Sequence, residues 1–198
     1  MNKIKKLEVY EGMLIVVDMV KGFTDQGALH DKEIKKIIVR QKEIIEEAQK
    51  KGYLIVFIKD THDKDSTELK RFGNVGHCMK GTKEAEVTEE LKEYENMPNT
   101  ISIEKNSTSF MEAPQFREII GQAQNIKDIN IVGCCSDICV INGAMGLANY
   151  CDQWNREVEI KIHEDAISTF DEKNRQDYTN AAKLLGELQG IQYVKKAA

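Results

Sequence analysis

Short apolar runs recur along the chain, and most of them end at a polar, charged or small residue. Their length of four to six residues and their content of Ile and Val are typical of buried β-strands. Helical patterns fill most of the gaps between them, which favours a mainly parallel sheet. The runs are Met13-Leu14-Ile15-Val16-Val17, Tyr53-Leu54-Ile55-Val56-Phe57-Ile58, Thr100-Ile101-Ser102-Ile103, Ile129-Asn130-Ile131-Val132 and Val158-Glu159-Ile160-Lys161-Ile162, with a shorter sixth run at Ile191-Gln192-Tyr193-Val194.

Four longer segments between these runs carry apolar residues at helical spacing. The predicted helices are 34–51, ended by Gly52, then 113–123, 136–151 and 172–188, the last with Ala181, Leu184, Leu185 and Leu188 on one face. No linker, internal repeat or low-complexity tract divides the chain. The pattern predicts a single α/β domain over residues 1–198, built as three α/β/α layers around a mainly parallel sheet of about six strands.

Composition and charge narrow the class of protein. Hydrophobic residues make up 41% and charged residues 31% of the 198 residues, as in an ordinary globular domain. The formal net charge of −5, with no long basic run, argues against nucleic acid or an anionic membrane as the main partner. No run approaches the ~18 apolar residues of a membrane span. The N-terminal segment also lacks the apolar stretch of a signal peptide, so we expect a cytoplasmic protein.

The chain contains five cysteines. An odd number of cysteines in a chain of this length argues against a disulfide framework and fits a reducing compartment. In that setting the cysteines are candidates for metal binding or catalysis, or are small core residues.

Polar or reactive residues follow four of the predicted strands. They are Asp18, Asp60, Lys105 and Cys135. In an open α/β sheet the ligand site lies beyond the carboxyl ends of the strands, so we expect these residues to share one edge. Cys139 follows in the first turn of the predicted helix 136–151, where unpaired N–H groups and the helix dipole favour a thiolate. Asp18 can accept the thiol proton, and Lys105 can supply a cation beside the thiolate.

Each of these residues also has an ordinary structural explanation when it is taken alone. A cysteine can be a small core residue, an aspartate can end a strand, and a lysine can face solvent. Their joint placement at one edge of the predicted sheet favours a catalytic site, with Cys139 as its nucleophile.

Three motifs resemble those of the isochorismatase-like cysteine hydrolases and occur in the order of that family. They are Val17-Asp18-Met19-Val20-Lys21-Gly22-Phe23, Lys105-Asn106-Ser107-Thr108-Ser109-Phe110 and Gly133-Cys134-Cys135-Ser136-Asp137-Ile138-Cys139-Val140. The resemblance covers nearly the whole chain and implies a triad of Asp18, Lys105 and Cys139. It also implies a cis peptide bond between Cys134 and Cys135, and an oxyanion hole made by the N–H groups of Cys135 and Cys139. Cys134 and Cys135 are then structural, and a vicinal disulfide is the rival interpretation.

A second group of residues resembles the metal site of the nicotinamidase branch of this family. Asp60-Thr61-His62 at a strand end, followed by His77, is similar to its ligand set, and Glu68 is a candidate fourth ligand. Two imidazoles and a carboxylate suit Zn²⁺, with Mn²⁺ or Fe²⁺ as alternatives. The same resemblance implies that Phe23 and Phe72 line the pocket for an aromatic ring. It therefore implies hydrolysis of the C–N amide bond of a small planar substrate, with nicotinamide the first choice.

Two features leave the substrate and the metal open. The stretch around His62 can be a solvated loop, and His77 can be a surface histidine. In addition, Asn74-Val75-Gly76 stands where nicotinamidases often carry Trp-Pro or Pro-Pro, and the lysine motif is shorter than usual before Phe110. A metal-free hydrolase of another small amide or carbamoyl compound is therefore a second interpretation. A non-catalytic binding protein on the same fold is a third.

Residues outside the motifs have simpler expected roles. His30 and His163 are expected to cap or decorate the surface, and Asp165 to order a loop. Trp154 is expected to serve in packing or in an interface. Because members of the family commonly form oligomers, the resemblance also implies a homo-oligomer.

Overall fold

The computed structural model describes residues 7–170 and 173–196. Its six strands are β1 (Gly12–Val17), β2 (Leu54–Asp60), β3 (Thr100–Lys105), β4 (Asp128–Cys134), β5 (Glu159–Ser168) and β6 (Gln192–Val194). They form one sheet in the order β3-β2-β1-β4-β5-β6, and every neighbouring pair is parallel. The predicted parallel sheet of about six strands is therefore confirmed.

The central strand β1 is buried on both faces. Met13, Ile15 and Val17 point into one hydrophobic core, whereas Leu14 and Val16 point into the other. Burial of a large apolar side chain stabilises a fold by roughly 1.5–3 kcal/mol, so both faces of this strand contribute. The uninterrupted apolar run in the sequence thus reflects a strand that is covered on both sides.

Helices cover the two faces of the sheet. They are α1 (Lys21–Thr24), α2 (Lys32–Lys36), α3 (Ile38–Lys50), α4 (Thr67–Arg71), α5 (Lys92–Glu95), α6 (Pro114–Gln122), α7 (Ile141–Gln153) and α8 (Arg175–Leu188). Helix α3 packs on the core that contains Leu14 and Val16, and α6 and α7 pack on the core that contains Met13 and Ile15. Helix α8 lies beside α7. The three-layer α/β/α prediction is confirmed.

The predicted helix 34–51 is two helices in the structure. Helix α2 begins earlier than predicted because the Asp31 side chain accepts a hydrogen bond of 2.8 Å from the N–H of Glu33, which caps its first turn. Ile37 separates α2 from α3. Gly52 follows the end of α3 with a φ of 69°, as a glycine after a helix commonly does.

Strand β5 extends further than its apolar run. The run ends at Ile162, but the strand continues to Ser168, after an irregularity in its pairing with β4 between Ile131 and Gly133. Polar residues fill positions 163–165, so the hydrophobic pattern alone ends too early. This extension carries the strand towards the edge of the sheet where the candidate site lies.

Two expectations about polar residues are wrong because of this longer strand. Asp165 lies within β5 rather than in a loop, and it accepts a hydrogen bond of 2.9 Å from Arg40 Nε. His163 is a half-buried residue of β5 rather than a surface decoration, and its Nε2 lies 2.8 Å from Asn130 Oδ1. His30 does lie in an exposed loop, where its Nδ1 is 2.7 Å from the carbonyl oxygen of Gly27.

Helix α8 begins at Arg175 rather than at the predicted 172, and Glu172 lies outside the described residues. Its buried residues are Ala182 and Gly186. The apolar face noted in the sequence points away from the sheet, because the inner side of the helix has room only for small residues. The outward-facing residues are Ala181, Leu184, Leu185 and Leu188.

Trp154 follows the last turn of α7. Its side chain is 64% exposed, and its ring centroid lies 6.4 Å from that of Tyr150. Among residues 7–170 and 173–196, no helix has both the length and the apolar character needed to cross a membrane.

Candidate active site

The carboxyl ends of four neighbouring strands bring the predicted site residues together. Asp60 and Lys105 are the last residues of β2 and β3, and they pair directly in the sheet register. Asp18 comes directly after β1, and β4 leads into the segment of Cys135 and Cys139. The polar residues that follow separate runs in the sequence therefore meet at one edge of the sheet, as parallel strand order requires.

Asp18 leaves β1 in a left-handed conformation with a φ of 52°. Its N–H donates to the carbonyl oxygen of Ile58 over 2.9 Å, and its own carbonyl oxygen accepts from the N–H of Val20 over 2.8 Å. The approach of β4 at this point requires a glycine: a Cβ at Gly133 would lie 2.1 Å from the carbonyl oxygen of Val17. The resulting turn buries the Asp18 side chain completely.

Lys105 is the buried cation of the site. Its Nζ lies 2.7 Å from Asp60 Oδ1, 2.9 Å from Asp18 Oδ2 and 3.5 Å from Cys139 Sγ. Burial by itself would lower the pKa of Lys105, but Asp18 and Asp60 raise that pKa well above its usual value. The ammonium group therefore stays protonated, and it contacts both carboxylates and the Cys139 sulfur.

Cys139 lies in a π-helical turn, Ser136–Val140, that precedes α7. The expectation that the helix start favours a thiolate is wrong for this environment. Burial raises the pKa of Cys139 well above its usual value, and the nearby Asp18 and Asp60 carboxylates add to the effect, while Lys105 only partly opposes it. The resting side chain is a neutral thiol, so a base has to remove its proton before it can react.

Asp18 has the acid–base properties of such a base. Burial raises its pKa to about 7, although Lys105 and the Cys139 thiol act to lower it. A carboxylate in this range can take a proton and return it near neutral pH. Chemically, the cluster of Asp18, Lys105 and Cys139 combines a base, a cation and a nucleophile.

The peptide bond between Cys134 and Cys135 is cis. Cys134 is fully buried, and its Sγ lies 3.2 Å from the carbonyl oxygen of Asp18. Its thiol pKa is raised well above the usual value, chiefly by burial. Both residues are free thiols, so the vicinal disulfide is not formed in this structure.

A second cluster on the same edge has the donor atoms of a metal site. Asp60, His62 and His77 are buried and can place one ligand atom each within 4.8 Å of the others. Asp60 Oδ2 lies 3.0 Å from His62 Nε2 and 3.3 Å from His77 Nε2. Ligand atoms about 2.0–2.1 Å from one tetrahedral zinc are themselves roughly 3.3 Å apart, so this spacing suits a small divalent cation. The two histidines are therefore buried around a carboxylate rather than exposed in a solvated loop.

Hydrogen bonds on the outer side of each imidazole orient the ligand nitrogens. His77 Nδ1 lies 3.0 Å from the carbonyl oxygen of Val75, and His62 Nδ1 lies 2.8 Å from Asn106 Oδ1. Ser66 Oγ is 3.3 Å from the same His62 nitrogen. Because a carbonyl oxygen can only accept, each Nδ1 donates a hydrogen bond, which leaves Nε2, the nitrogen that lies beside Asp60, as the atom that can bind a metal.

The chain brings His77 back to His62 through a short parallel pairing. The N–H of His62 donates to the carbonyl oxygen of Cys78 over 3.0 Å, and the N–H of Lys80 donates to the carbonyl oxygen of His62 over 2.9 Å. The preceding turn has Gly73 and Asn74 at φ values of 73° and 60°, which these two residue types adopt readily. The two imidazole rings meet edge to face with centroids 4.7 Å apart.

Glu68 lies beside this cluster but is not one of its three members. Its Oε1 is 3.7 Å from His62 Nε2. Burial, together with the Asp60 charge, raises the pKa of Glu68. For Asp60 the balance is opposite: burial disfavours its charge, but Lys105 and the two imidazoles hold its pKa well below the usual range. Asp60 therefore ionises more readily than Glu68 beside it.

A cavity of about 310 Å³ lies between the two clusters and solvent. Phe23 is buried in its wall, with its ring centroid 5.9 Å from that of His77. Phe72 is 41% exposed and lines the cavity as well. The lining residues are Phe23, Leu29, Asp60, Glu68, Phe72, His77, Cys135, Ile138, Cys139 and Phe170. The cavity thus joins apolar walls to a thiol, a carboxylate and an imidazole.

Comparison with known proteins agrees with this geometry. The isochorismatase domain model matches residues 12–192. The chain belongs to the isochorismatase family. Its identity with nicotinamidase 1 of Arabidopsis thaliana is 26% over 141 residues, which cover 65% of this chain and 57% of that protein. The chain spans less than two thirds of the length of the curated relatives it matches.

Two solved structures are similar to this one over nearly the whole chain. N-carbamoylsarcosine amidase from Thermoplasma acidophilum has a TM-score of 0.73 and 26% identity, covering 95% of this chain and 98% of that chain. Pyrazinamidase of Pyrococcus horikoshii, in complex with zinc, has a TM-score of 0.72 and 25% identity, covering 93% and 99%. The predicted membership of the isochorismatase-like family and its fold is confirmed.

Several residues that line or support this candidate site were not among the predicted site residues. Ile138 directly precedes Cys139, and Asn106 directly follows Lys105. Their position beside these motif residues was a signal that could have identified them. Leu29 and Phe170 lie in loops with no distinguishing pattern. Their role in the cavity depends on how those loops fold over the sheet edge, which no local pattern indicates.

Proposed function

We propose that the chain is a cysteine amidohydrolase that cleaves the C–N amide bond of a small planar substrate through a thioester. Nicotinamide, giving nicotinate and ammonia, is the first candidate. The observation that carries the proposal is that Lys105 Nζ lies 3.5 Å from Cys139 Sγ and 2.9 Å from Asp18 Oδ2, with Cys139 in the wall of a largely apolar cavity. A nucleophile, a base and a fixed cation are the parts that acyl transfer needs.

The first step in this proposal is activation of the thiol. Asp18, with a pKa raised to about 7 by burial, takes the proton from Cys139. The Lys105 ammonium stabilises the thiolate that forms, and it keeps its own proton because neighbouring carboxylates hold its pKa high. Activation therefore transfers a proton within the buried cluster and leaves its net charge unchanged.

The second step is attack of Cys139 Sγ on the carboxamide carbon. The N–H groups of Cys135 and Cys139 are proposed to hold the oxyanion, as hydrogen-bond donors fixed in a site that excludes water. Asp18 then returns its proton to the nitrogen of the departing ammonia, and the thioester remains on Cys139. A water molecule hydrolyses the thioester, with Asp18 again as the base.

Asp60, His62 and His77 are proposed to hold a divalent cation, with Glu68 as a further candidate ligand. Two imidazole nitrogens and a carboxylate oxygen favour zinc, and manganese or iron are alternatives. When bound, such an ion supplies a Lewis acid that can hold a ring nitrogen of the substrate at this wall. Phe23 and Phe72, which line the same cavity, are proposed to face the ring of the substrate.

A screen for ammonia release tests the proposal. Purified protein is incubated with nicotinamide, pyrazinamide and simple carbamoyl compounds, with and without a chelator, and its metal content is measured. Fastest turnover of the two aromatic amides, with loss of that activity in chelator, supports the proposed substrate class and metal. Absence of ammonia release from every compound would contradict the proposal.

A metal-free amidase of carbamoyl compounds is the second candidate. It is favoured by the 26% identity with N-carbamoylsarcosine amidase over almost the full chain. Activity on a carbamoyl compound that is unchanged by chelator, in protein that contains no metal, selects this candidate. A non-catalytic binding protein on this fold is the third candidate, and it would release ammonia from none of the compounds in the screen.

A further inference from the structure

The outer face of helix α8 exposes four large apolar side chains. Their exposed fractions are 46% for Tyr178, 59% for Leu184, 50% for Leu185 and 74% for Leu188. Within residues 7–170 and 173–196, no other part of the chain covers these side chains. Single exposed leucines are common on proteins, but three leucines and a tyrosine on one helix form a continuous patch.

The inner face of α8 explains why the large residues point outward. The buried residues of the helix are Ala182 and Gly186, and a Cβ at Gly186 would lie 2.9 Å from the Tyr193 side chain and 3.1 Å from Ile141. The helix therefore packs closely on its own sheet through small residues. Its large apolar residues are free to pack on a second layer.

The outer residues form a stripe without charge. Tyr178, Ala181, Leu185 and Leu188 are spaced by three, four and three residues, which is the spacing of a helix–helix seam. The charged residues between positions 178 and 188 are Lys183 and Glu187. At 100° per residue both lie on the opposite side of the helix from the middle of the stripe. Asp177 lies on the same side of the helix, at the N-terminal end of the stripe, so desolvation of the middle of the stripe buries no ionised group.

The size of the patch matches the apolar centre of a protein interface. The four partly exposed side chains present roughly 400 Å². A stable interface needs about 800 Å² from each partner, of which somewhat more than half is apolar. Exposed polar residues border the face and can supply the rest of that area; they are Asp177, Asn180 and Gln189.

We propose that a second copy of this chain covers the face, with the two α8 helices antiparallel about a two-fold axis. Such an axis requires a self-complementary surface, and the stripe provides one. With the axis beside position 183, the small Ala181 faces Leu185 of the partner subunit, and Tyr178 faces Leu188 of the partner subunit. Large residues then meet small ones at the centre, and the Tyr178 hydroxyl stays at the rim. This proposal is independent of which amide the protein hydrolyses.

Sedimentation velocity on the full chain tests the proposal, over a range of about 100-fold in concentration up to roughly 50 µM. The wild-type protein is expected to be a dimer, and the L185E/L188E variant to dissociate at least 100-fold more readily. V39E is the matched control, because Val39 is 72% exposed on α3, on the other side of the sheet. The control is expected to remain dimeric. Circular dichroism checks that each variant is folded, and L185S/L188S replaces the charged variant if that one unfolds.

A cross-link tests the antiparallel arrangement directly. In the Y178C/L188C variant, mild oxidation is expected to give a covalent dimer, whereas the wild-type protein, whose five cysteines are buried, is expected to give none. A monomeric wild-type protein overturns the proposal. A dimer that the α8 variants do not weaken overturns it as well, because the interface then lies elsewhere. A weakened dimer without the cross-link rejects the antiparallel pairing.

Discussion

Lys105 Nζ and Asp60 Oδ1 lie 2.7 Å apart, fully buried, and this contact joins the two halves of the site. The other Asp60 oxygen faces the imidazoles of His62 and His77. One carboxylate therefore contacts both the cation beside Cys139 and the candidate metal ligands. Because β2 and β3 pair in register at these two residues, the link is part of the sheet itself.

Replacement of Cys139 by alanine is expected to abolish turnover and to leave the fold intact. The proposed thioester cannot form without Sγ, and loss of a nucleophile typically reduces kcat by several orders of magnitude. Ammonia release and circular dichroism measure the two effects. The matched control is C151A, because Cys151 is also buried but lies on α7 away from the cavity. Full activity of C139A would contradict the proposed mechanism.

The activity is expected to depend on a group that titrates near neutral pH. Asp18 acts as a base only when it is ionised, and burial raises its pKa to about 7. We therefore expect kcat/KM to fall tenfold per pH unit below this value and to reach a plateau above it. A rate profile from pH 5 to 8.5 with saturating metal checks this. A profile that stays flat down to pH 5 contradicts the assignment of Asp18.

The D18N variant is expected to be inactive and more stable than the wild-type protein. The raised pKa of Asp18 means that the folded state favours its protonated form, so this residue contributes stability below about pH 4 that is lost as the pH rises to about 7. The neutral amide of asparagine avoids that loss, so the free energy of unfolding of D18N is expected to exceed that of the wild-type protein by about 2–4 kcal/mol at pH 8. Asparagine also tolerates the left-handed backbone at a φ of 52°.

Chemical denaturation at pH 5 and pH 8 measures this effect. The advantage of D18N over the wild-type protein should grow between the two values. An advantage that is equal at both, or reversed at pH 8, shows that Asp18 does not carry the cost of a buried carboxylate.

The K105M variant is expected to be destabilised by about 3–5 kcal/mol, because it leaves two buried carboxylates without their cation. Lys105 contacts both Asp18 and Asp60, and all three are buried. Urea denaturation in the presence of chelator measures the change without a contribution from bound metal. The control is K21M, whose ion pair with Glu86 is partly exposed and should contribute less than about 1 kcal/mol. Equal effects in the two variants would contradict the argument.

The N106L variant is expected to bind a divalent metal 10–100-fold more weakly than the wild-type protein. Asn106 Oδ1 accepts the hydrogen bond from His62 Nδ1 that turns Nε2 towards Asp60, and loss of such outer partners typically has this effect. Competition with a chromophoric chelator measures zinc affinity without reference to activity. The control is S107A, whose hydroxyl bonds to the carbonyl oxygen of Ser109 instead. Unchanged zinc affinity in N106L would show that this hydrogen bond does not orient the ligand.

Most of the fold could be predicted from local patterns. Runs such as 13–17 and 129–132 are long enough and apolar enough to identify strands that are covered on both faces. The ends of strands and helices were harder to predict. Polar residues continue β5 through its second half, and the Asp31 side chain caps α2 so that this helix begins earlier than its apolar pattern. These features depend on contacts that a hydrophobic pattern does not contain.

By itself, the sequence determined the order of strands and helices along the chain, the three motifs, and the residue types that follow each strand. Those properties are local, because they depend on spacing along the chain. Only the tertiary structure decided that Cys139 rests as a thiol, that His77 reaches His62, and that the leucines of α8 face outward. Each of these depends on burial or on the approach of distant segments, which set the local dielectric and the available space.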